Sequence, residues 1–334
     1  MLLLDFKIFG PFFFLAQNSK ANVEKYDWCN IESIIKETVT ECVYYDDLIC
    51  GGKYLEDPSH FLIGKLVEKY KNKTDPVNSL TVFLLDELKD FEGTFAKYIR
   101  EEKNKSSIYK DKFPKMLDEI SNAQLLYNES RNWNPNKEVT VLSFNYSSNI
   151  SDNYINFLKF NIHKWINIHG YIGENENDYY EKPIFGIDST EVLENDPRII
   201  FTKTFRVATE INNHLESLPK TIDLLAFYGH SLAEADYSYF EALFDMYDLY
   251  SSDIVLCFYY GAYLVSDKMS SEEKQECKVK NNNLCIETTT NIYNLLRHYG
   301  SSLKENHGDN LLHRLLLEGR IKIFPREGDR KLEK

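Results

Sequence analysis

The stretch Ile222–Phe240, IDLLAFYGHSLAEADYSYF, decides the fold class of this chain. Its apolar run ends at Tyr228 and predicts a buried strand, and the tripeptide Gly229–Ser231 that follows predicts a tight turn. Ser231 and Glu234 have the spacing of a capping box, which predicts that a helix begins there. A strand, a turn and a helix in this order are typical of an open α/β sheet, where the N–H groups of the helix start can bind an anion.

Short apolar segments alternate with helical patterns through the C-terminal part of the chain. The predicted strands are 139–144, 165–168, 184–187, 222–228, 254–260 and 321–324. The predicted helices between them are 153–163, 204–218, 233–250 and 288–298. This alternation predicts an α/β fold with a mostly parallel, Rossmann-like sheet flanked by helices. The polar stretch 266–283 is predicted as an exposed loop or a helix edge.

A different pattern occupies the N-terminal part. Between Trp28 and Tyr127 the apolar residues recur at helical spacing, as in Leu80, Leu84 and Leu88, so we predict a largely helical region. We therefore divide the chain into a mostly helical part, 1–135, inserted in or packed on the core, and a Rossmann-like core, 136–330. Both are expected to form one integrated domain.

Composition excludes several classes of function. The 334 residues carry a net charge of −13, which argues against nucleic acid as a partner, since such affinity depends on many Lys and Arg contacts. We find no cluster of Asp, Glu and His at metal-ligand spacing, so no metal is expected and a nuclease is disfavoured. An NTPase is also disfavoured, because no Gly-x-x-x-x-Gly-Lys-Ser/Thr loop is present.

Cysteine usage and hydropathy bear on location. The six cysteines include no Cys-x-x-Cys pair, which favours a reducing cytoplasm. The apolar run Ile8–Ala16 is shorter than a membrane span, and we predict a buried helix or strand there rather than a signal peptide. No membrane partner is expected. The aromatic content of 14% suits either a large core or the contacts of a homo-oligomer, and it does not choose between them.

Polar residues follow four of the predicted strands: Asn145, His169, Asp188 and, after the turn, Asp236. Each has a structural explanation, because Asn and Asp cap turns and helices and a lone histidine is often a hydrogen-bonded structural residue. Histidine also titrates nearest to neutral pH and is the first candidate for proton transfer. Since the carboxyl ends of parallel strands share an edge, four such residues together favour a ligand site.

These blocks resemble the AbiH family of bacteriophage abortive-infection proteins. The resemblance covers about a hundred residues, 139–240, and its most specific part is Gly229–Phe240. The patch beginning at Trp28 is also similar to the family's tryptophan and acidic helix opening. The resemblance implies a defence role in which an infected cell is shut down before phage is released, in response to an unknown phage-derived trigger.

The AbiH family in turn resembles sirtuin-like defence enzymes, whose Rossmann-type domains hydrolyse NAD. This implies that Asn145, in an Asn-Tyr context, and His169, in a His-Gly context, serve catalysis, with NAD as the substrate. It also implies that a Gly-x-Ser turn binds the dinucleotide. The residues expected to contact this nucleotide ligand are Gly186, Asp188, Gly229, His230, Ser231 and Asp236, and we expect them to share a cavity with the catalytic pair.

One feature departs from the family pattern. Members usually begin with a Gly-Asn-Gly-Phe-Asp loop after the first strand, and this chain has no such sequence, which suggests a late-start or truncated form. Loss of that loop would remove a phosphate cradle. Two alternatives to an NAD glycohydrolase therefore stay open: a nucleotide-binding sensor without turnover, and a protein-interaction or toxin module.

Overall fold

A computed structural model describes residues 31–44, 58–105, 138–146, 162–173, 182–189, 192–211, 217–232, 236–303, 310–330 and 332. They belong to two compact units with the bounds Met1–Ser217 and Leu218–Lys334. The predicted domain boundary near residue 135 and the apolar run Ile8–Ala16 lie outside the described residues. The division into 1–135 and 136–330 therefore stays a prediction.

Three helices open the described part of the first unit: α1 (Ile31–Val43), α2 (Pro58–Tyr70) and α3 (Pro76–Lys105). Proline is the first residue of α2 and of α3, where its missing N–H costs no hydrogen bond and its fixed φ suits a helix. The apolar residues spaced by three and four predicted in this region form one face of each helix. That face is buried in a common core that includes Ile35, Val39, Ile63, Leu84, Leu88 and Phe91.

Two parallel strands follow, β1 (Val139–Ser143) and β2 (Ile162–Asn167), with Ser143 opposite Asn167. The chain then runs through 182–189, which makes a single parallel bridge from Ile187 to Thr202. A 3₁₀ turn (Pro197–Phe201), the short helix α4 (Lys203–Arg206) and a π-helical turn (Val207–Ile211) complete the described part of this unit.

The second unit contains a three-stranded parallel sheet in the order β3 (Leu224–Tyr228), β4 (Val255–Tyr263) and β5 (Ile321–Arg330). Its helices are α5 (Tyr237–Met246), α6 (Ser271–Ser302) and α7 (Leu311–Leu317). Phe227 stacks on Phe258 with ring centroids 4.6 Å apart and meets Phe240 of α5 edge to face, which joins helix and sheet.

The predicted mixed α/β fold with parallel strands and a helical N-terminal region is confirmed. Among the described residues the strands are divided between two small sheets. Most of the polar stretch 266–283 is the first half of α6, where Ser270 and Glu273 form a capping box. Its polarity follows from exposure, since only one edge of this long helix is buried.

Of the six predicted strands, 184–187 forms only a bridge. The N–H of Phe185 donates to the Glu92 carboxylate and its carbonyl accepts from Arg206. The side chains of Glu92 and Arg206 thus occupy the N–H and the carbonyl of Phe185, which a neighbouring strand would otherwise use. Strand pairing of this segment is therefore limited to the bridge at Ile187.

Candidate functional site

Asn145 and His169 lie at the same edge of the first sheet. Each follows by two residues a strand end, and those ends, Ser143 and Asn167, are register partners. The Asn167 side-chain amide donates to the main-chain oxygen of Asn145 at 3.2 Å, across the gap between the strands. Parallel pairing of β1 with β2 thus brings together two residues that are 24 positions apart.

The turn after β1 is held by its own serine. The hydroxyl of Ser143 accepts from the main-chain N–H of Asn145 at 3.2 Å and donates to its carbonyl at 3.1 Å. The Asn145 side chain is left exposed. An exposed amide beside a strand end is available to a ligand hydroxyl or to water.

His169 has a different environment. It is only 3% exposed, and its ring meets Phe144 edge to face with centroids 5.6 Å apart. Its carbonyl accepts from the N–H of Ile184 at 2.8 Å. The imidazole is therefore packed in the interior, while Asn145 faces solvent.

Gly170 explains part of the His-Gly context. Its φ is +84°, and a Cβ there would lie 2.0 Å from the carbonyl oxygen of Lys182. Only glycine fits, because this position combines a left-handed backbone with a close main-chain approach. The glycine is required by packing whatever His169 does.

Gly186 is likewise set by the backbone. A Cβ at this residue would lie 2.6 Å from the carbonyl oxygen of Phe201, against which the segment packs. Asp188 follows the bridge at Ile187 and is partly exposed. The predicted roles of Gly186 and Asp188 in nucleotide binding stay predictions, and close packing is a sufficient reason for the glycine.

The turn after β3 contains a histidine and a carboxylate in contact. His230 Nδ1 accepts from the main-chain N–H of Leu232 at 2.9 Å, and Nε2 lies 3.2 Å from Asp236 Oδ2. With Nδ1 as acceptor, the neutral ring carries its proton on Nε2, which can donate to Asp236. Both side chains are 16% exposed, so the pair is partly buried beside the turn.

Two left-handed residues shape this turn, Gly229 with φ +65° and Leu232 with φ +54°. Left-handed backbone is uncommon for leucine and is tolerated where the surrounding contacts hold it. Asn291 of α6 provides one such contact, since its amide donates to the carbonyl of Ser231 at 3.0 Å. The helix α5 begins only at Tyr237, with Asp236 at its N-cap, and Glu234 of the predicted capping box lies outside the described residues.

Several residues near the strand ends were not predicted as site residues. Arg326 of β5 lies over the ring of Tyr228, 5.0 Å from its centroid, and donates to its hydroxyl. One indication of this residue was present in the sequence, since Arg326 lies two residues after the predicted strand Ile321–Phe324. Asn167 and Asn291 act through long-range hydrogen bonds, for which sequence spacing gives no signal.

Within the described ranges no group of three or more His, Cys, Asp or Glu side chains could hold a metal ion. In the same part of the chain no helix is both long and apolar enough to cross a membrane. The expectation that Asn145, His169 and the turn Gly229–Ser231 line one cavity stays a prediction.

Comparison with known proteins now identifies the family. No curated protein and no solved structure gives a significant match to the chain. The family described as bacteriophage abortive infection AbiH matches residues 7–259, well over half of the chain, and this match spans β1 to β3 and every predicted site residue. The chain therefore belongs to the bacteriophage abortive infection AbiH family, which assigns it a role in abortive infection of phage-infected bacteria.

Proposed function

We propose that this AbiH protein acts in abortive infection by hydrolysing NAD at the β1–β2 edge. One observation carries the proposal: register pairing places Asn145 and His169 after adjacent parallel strands, and Asn167 links the two turns. The carboxyl edge of parallel strands is where open α/β sheets bind their ligands. An amide and an imidazole are also suitable groups for hydrolysis without a metal.

The reaction breaks the bond between nicotinamide and ribose and adds water to the ribose carbon. Positive charge develops on the ribose as neutral nicotinamide leaves. Asn145 holds a ribose hydroxyl or orients the attacking water, and His169 accepts the proton that this water loses. General base catalysis of this kind contributes roughly 10²- to 10⁴-fold to the rate.

Within the second unit, the turn after β3 by itself offers contacts for a nucleotide ligand. Gly229 and Ser231 bind phosphate or ribose through main-chain N–H groups and the serine hydroxyl. Asp236, held beside His230, can accept a hydrogen bond from a sugar hydroxyl. Asp188, in the first unit, is the alternative acceptor. An exposed serine at a tight turn is suited to this contact.

The burial of His169 sets a condition on turnover. Because its ring is 3% exposed and packed on Phe144, water and ribose reach it only after the covering side chains move. The proposal therefore requires that a ligand or the phage trigger opens this edge. Activity is expected only under those conditions, in keeping with an enzyme that shuts a cell down after infection.

The test measures NAD consumption by purified protein with and without extract from phage-infected cells. We expect triggered consumption that falls at least a hundredfold in His169→Ala. His163→Ala is the matched control, since His163 is an exposed residue of β2, the strand that precedes His169. Absence of consumption under trigger, or its survival in His169→Ala, contradicts the proposal.

The same burial favours a second candidate, a sensor that binds nucleotide without turnover. It predicts that NAD or a related nucleotide raises the melting temperature while no nicotinamide is released. Phage defence that persists in the double variant Asn145→Ala with His169→Ala would contradict both candidates and favour a protein-interaction module.

A further inference from the structure

Phe185 is held at both of its main-chain polar groups by charged side chains. Its N–H donates to Glu92 Oε1 at 2.7 Å, and its carbonyl accepts from Arg206 Nη1 at 2.7 Å. Glu92 and Arg206 also pair with each other, with Nη2 donating to Oε2 at 2.9 Å and a second contact between Nη1 and Oε1. The two side chains thus take the place of a neighbouring strand.

This pair is deeply buried. Glu92 is 2% exposed and Arg206 is 1% exposed. A buried ion pair contributes little net stability, because desolvation of both charges offsets their attraction, and apolar residues of the same volume serve as well. Beyond their mutual contacts, both side chains bond to the main chain of Phe185, and Arg206 also bonds to Glu210. The pair therefore does more than fill space: it fixes where Phe185 lies.

Two contacts lead from this residue to the candidate catalytic histidine. Ile184, next to Phe185, donates its N–H to the carbonyl of His169 at 2.8 Å. One residue further on, Gly170 packs so closely on Lys182 that no side chain fits between them. The loop bearing His169 therefore rests on residues 182–184, and a shift of that segment displaces the histidine.

The segment is also fixed two residues further along the chain. Ile187 donates to the carbonyl of Phe201 at 3.0 Å and accepts from the N–H of Lys203 at 3.0 Å. Gly186 permits this approach. Main-chain bonds therefore hold the segment at Ile187, and the Glu92–Arg206 pair holds it at Phe185.

We propose that Glu92 and Arg206 are positioning residues that set the place of His169 through Phe185 and Ile184. The catalytic meaning of this assignment rests on the proposed NAD hydrolysis. Its structural content, that the ion pair governs the His169 loop, does not depend on any activity. The two can therefore fail separately.

Glu210 supplies a matched control. It pairs with the same guanidinium, with Arg206 Nη2 3.1 Å from Oε1, but its side chain is 26% exposed and also lies 3.7 Å from Lys89. Glu210→Gln removes one negative charge from the same network while leaving the bonds to Phe185 in place. Glu92→Gln removes the same charge at the bond to Phe185.

The experiment compares Glu92→Gln, Arg206→Lys and Glu210→Gln with the unmodified full chain. Lysine keeps the positive charge of Arg206 but lacks the planar guanidinium that bonds to Glu92 and to the Phe185 carbonyl at once. If Glu92→Gln fails to fold, Arg206→Lys therefore still tests whether this bonding geometry positions His169. Amide hydrogen exchange of Ile184 and the NMR signals of the His169 ring, assigned with His169→Ala, are the primary measurements.

We expect at least tenfold faster exchange at Ile184 and displaced His169 signals in Glu92→Gln and Arg206→Lys, with Glu210→Gln within twofold of the unmodified chain. Triggered NAD turnover should show at least a tenfold lower kcat with KM changed less than threefold. The assignment is overturned if the His169 signals are unchanged in both Glu92→Gln and Arg206→Lys. It is also overturned if Glu210→Gln has effects equal to theirs. If the unmodified chain consumes no NAD, the proposed hydrolysis fails, and the exchange and NMR results still decide the positioning role.

Discussion

The side chain of Asn167 donates to the main-chain oxygen of Asn145 across 3.2 Å and so ties together the turns that follow β1 and β2. Asn167 is 9% exposed, and strand pairing at Ser143 sets its distance from Asn145. This hydrogen bond is a direct side-chain link between the two strand ends that carry the candidate catalytic residues, beside the main-chain bond from Ile168 to Ser143.

Replacement of Asn167 by alanine should loosen that link. We expect a loss of about 0.5 to 1.5 kcal/mol in the free energy of unfolding, the usual contribution of one hydrogen bond, since the Asn145 carbonyl keeps its bond from the Ser143 hydroxyl. Urea denaturation measures the change. The same substitution at exposed Asn283 on α6 is the control and should be neutral or slightly stabilising, because alanine favours a helix. Equal losses at both positions would argue that the bond contributes nothing.

Two glycine-to-alanine substitutions should have opposite effects. Gly186→Ala places a Cβ 2.6 Å from the Phe201 carbonyl oxygen, so we expect about 1 to 3 kcal/mol of destabilisation from the forced separation. Gly93, within α3, has nothing within 4 Å of a built Cβ, and Gly93→Ala should stabilise by about 0.5 to 1 kcal/mol. Denaturation midpoints of the two variants should move in opposite directions, and a shared direction would contradict the packing argument.

The neutral form of His230 should carry its proton on Nε2. The N–H of Leu232 already donates to Nδ1 at 2.9 Å, and Asp236 accepts on the other side of the ring. Nitrogen-15 chemical shifts of the histidine rings, assigned with His230→Gln, distinguish the two tautomers. A proton found on Nδ1 would show that the turn is not held as described. Exposed His313, in α7, is an internal reference for a ring at the surface.

Acid should weaken the contact between Asp196 and Arg198. The side chain of Arg198 donates to both carboxylate oxygens, and these hydrogen bonds lower the pKa of Asp196. A lowered folded pKa adds stability above the ordinary aspartate value of about 4, and this stability is lost as the pH falls through the folded value. We expect Asp196→Asn to be about 1 to 2 kcal/mol less stable at pH 7, with the gap closing at low pH.

Chemical denaturation from pH 7 down to pH 3 measures this gap. Asp75→Asn is the matched control, because the exposed side chain of Asp75 accepts the N–H of Asn78 at the start of α3, a bond that asparagine keeps. A gap for Asp196→Asn that stays constant with pH would remove the electrostatic explanation and leave only the capping bond to the Arg198 N–H.

Local sequence patterns were enough for much of the fold. Helical spacing in Leu80, Leu84 and Leu88 identified α3, and apolar runs ending in glycine or a polar residue located β1 and β3. The helical patterns between the predicted strands indicated that the strands pair in parallel. Prediction was less successful at 184–187, because a run of apolar residues does not show whether side chains will occupy the main-chain groups of Phe185.

The candidate site shows the same contrast. Asn145 and His169 were recognisable as polar residues at strand ends, and their placement on one edge follows from parallel pairing. Their unequal exposure was not predictable. It depends on how Phe144 and the segment beginning at Lys182 pack around the imidazole.

By itself the sequence determined the family, the α/β class and the strand-end positions of Asn145 and His169, because periodicity and strand-end residues are local properties of the chain. Only the tertiary structure decided that the described strands form two sheets, that His169 is buried and that Glu92 meets Arg206. These outcomes depend on contacts between residues far apart in sequence, such as the 114 positions that separate Glu92 from Arg206. Such contacts form only when the packed core brings the two side chains together.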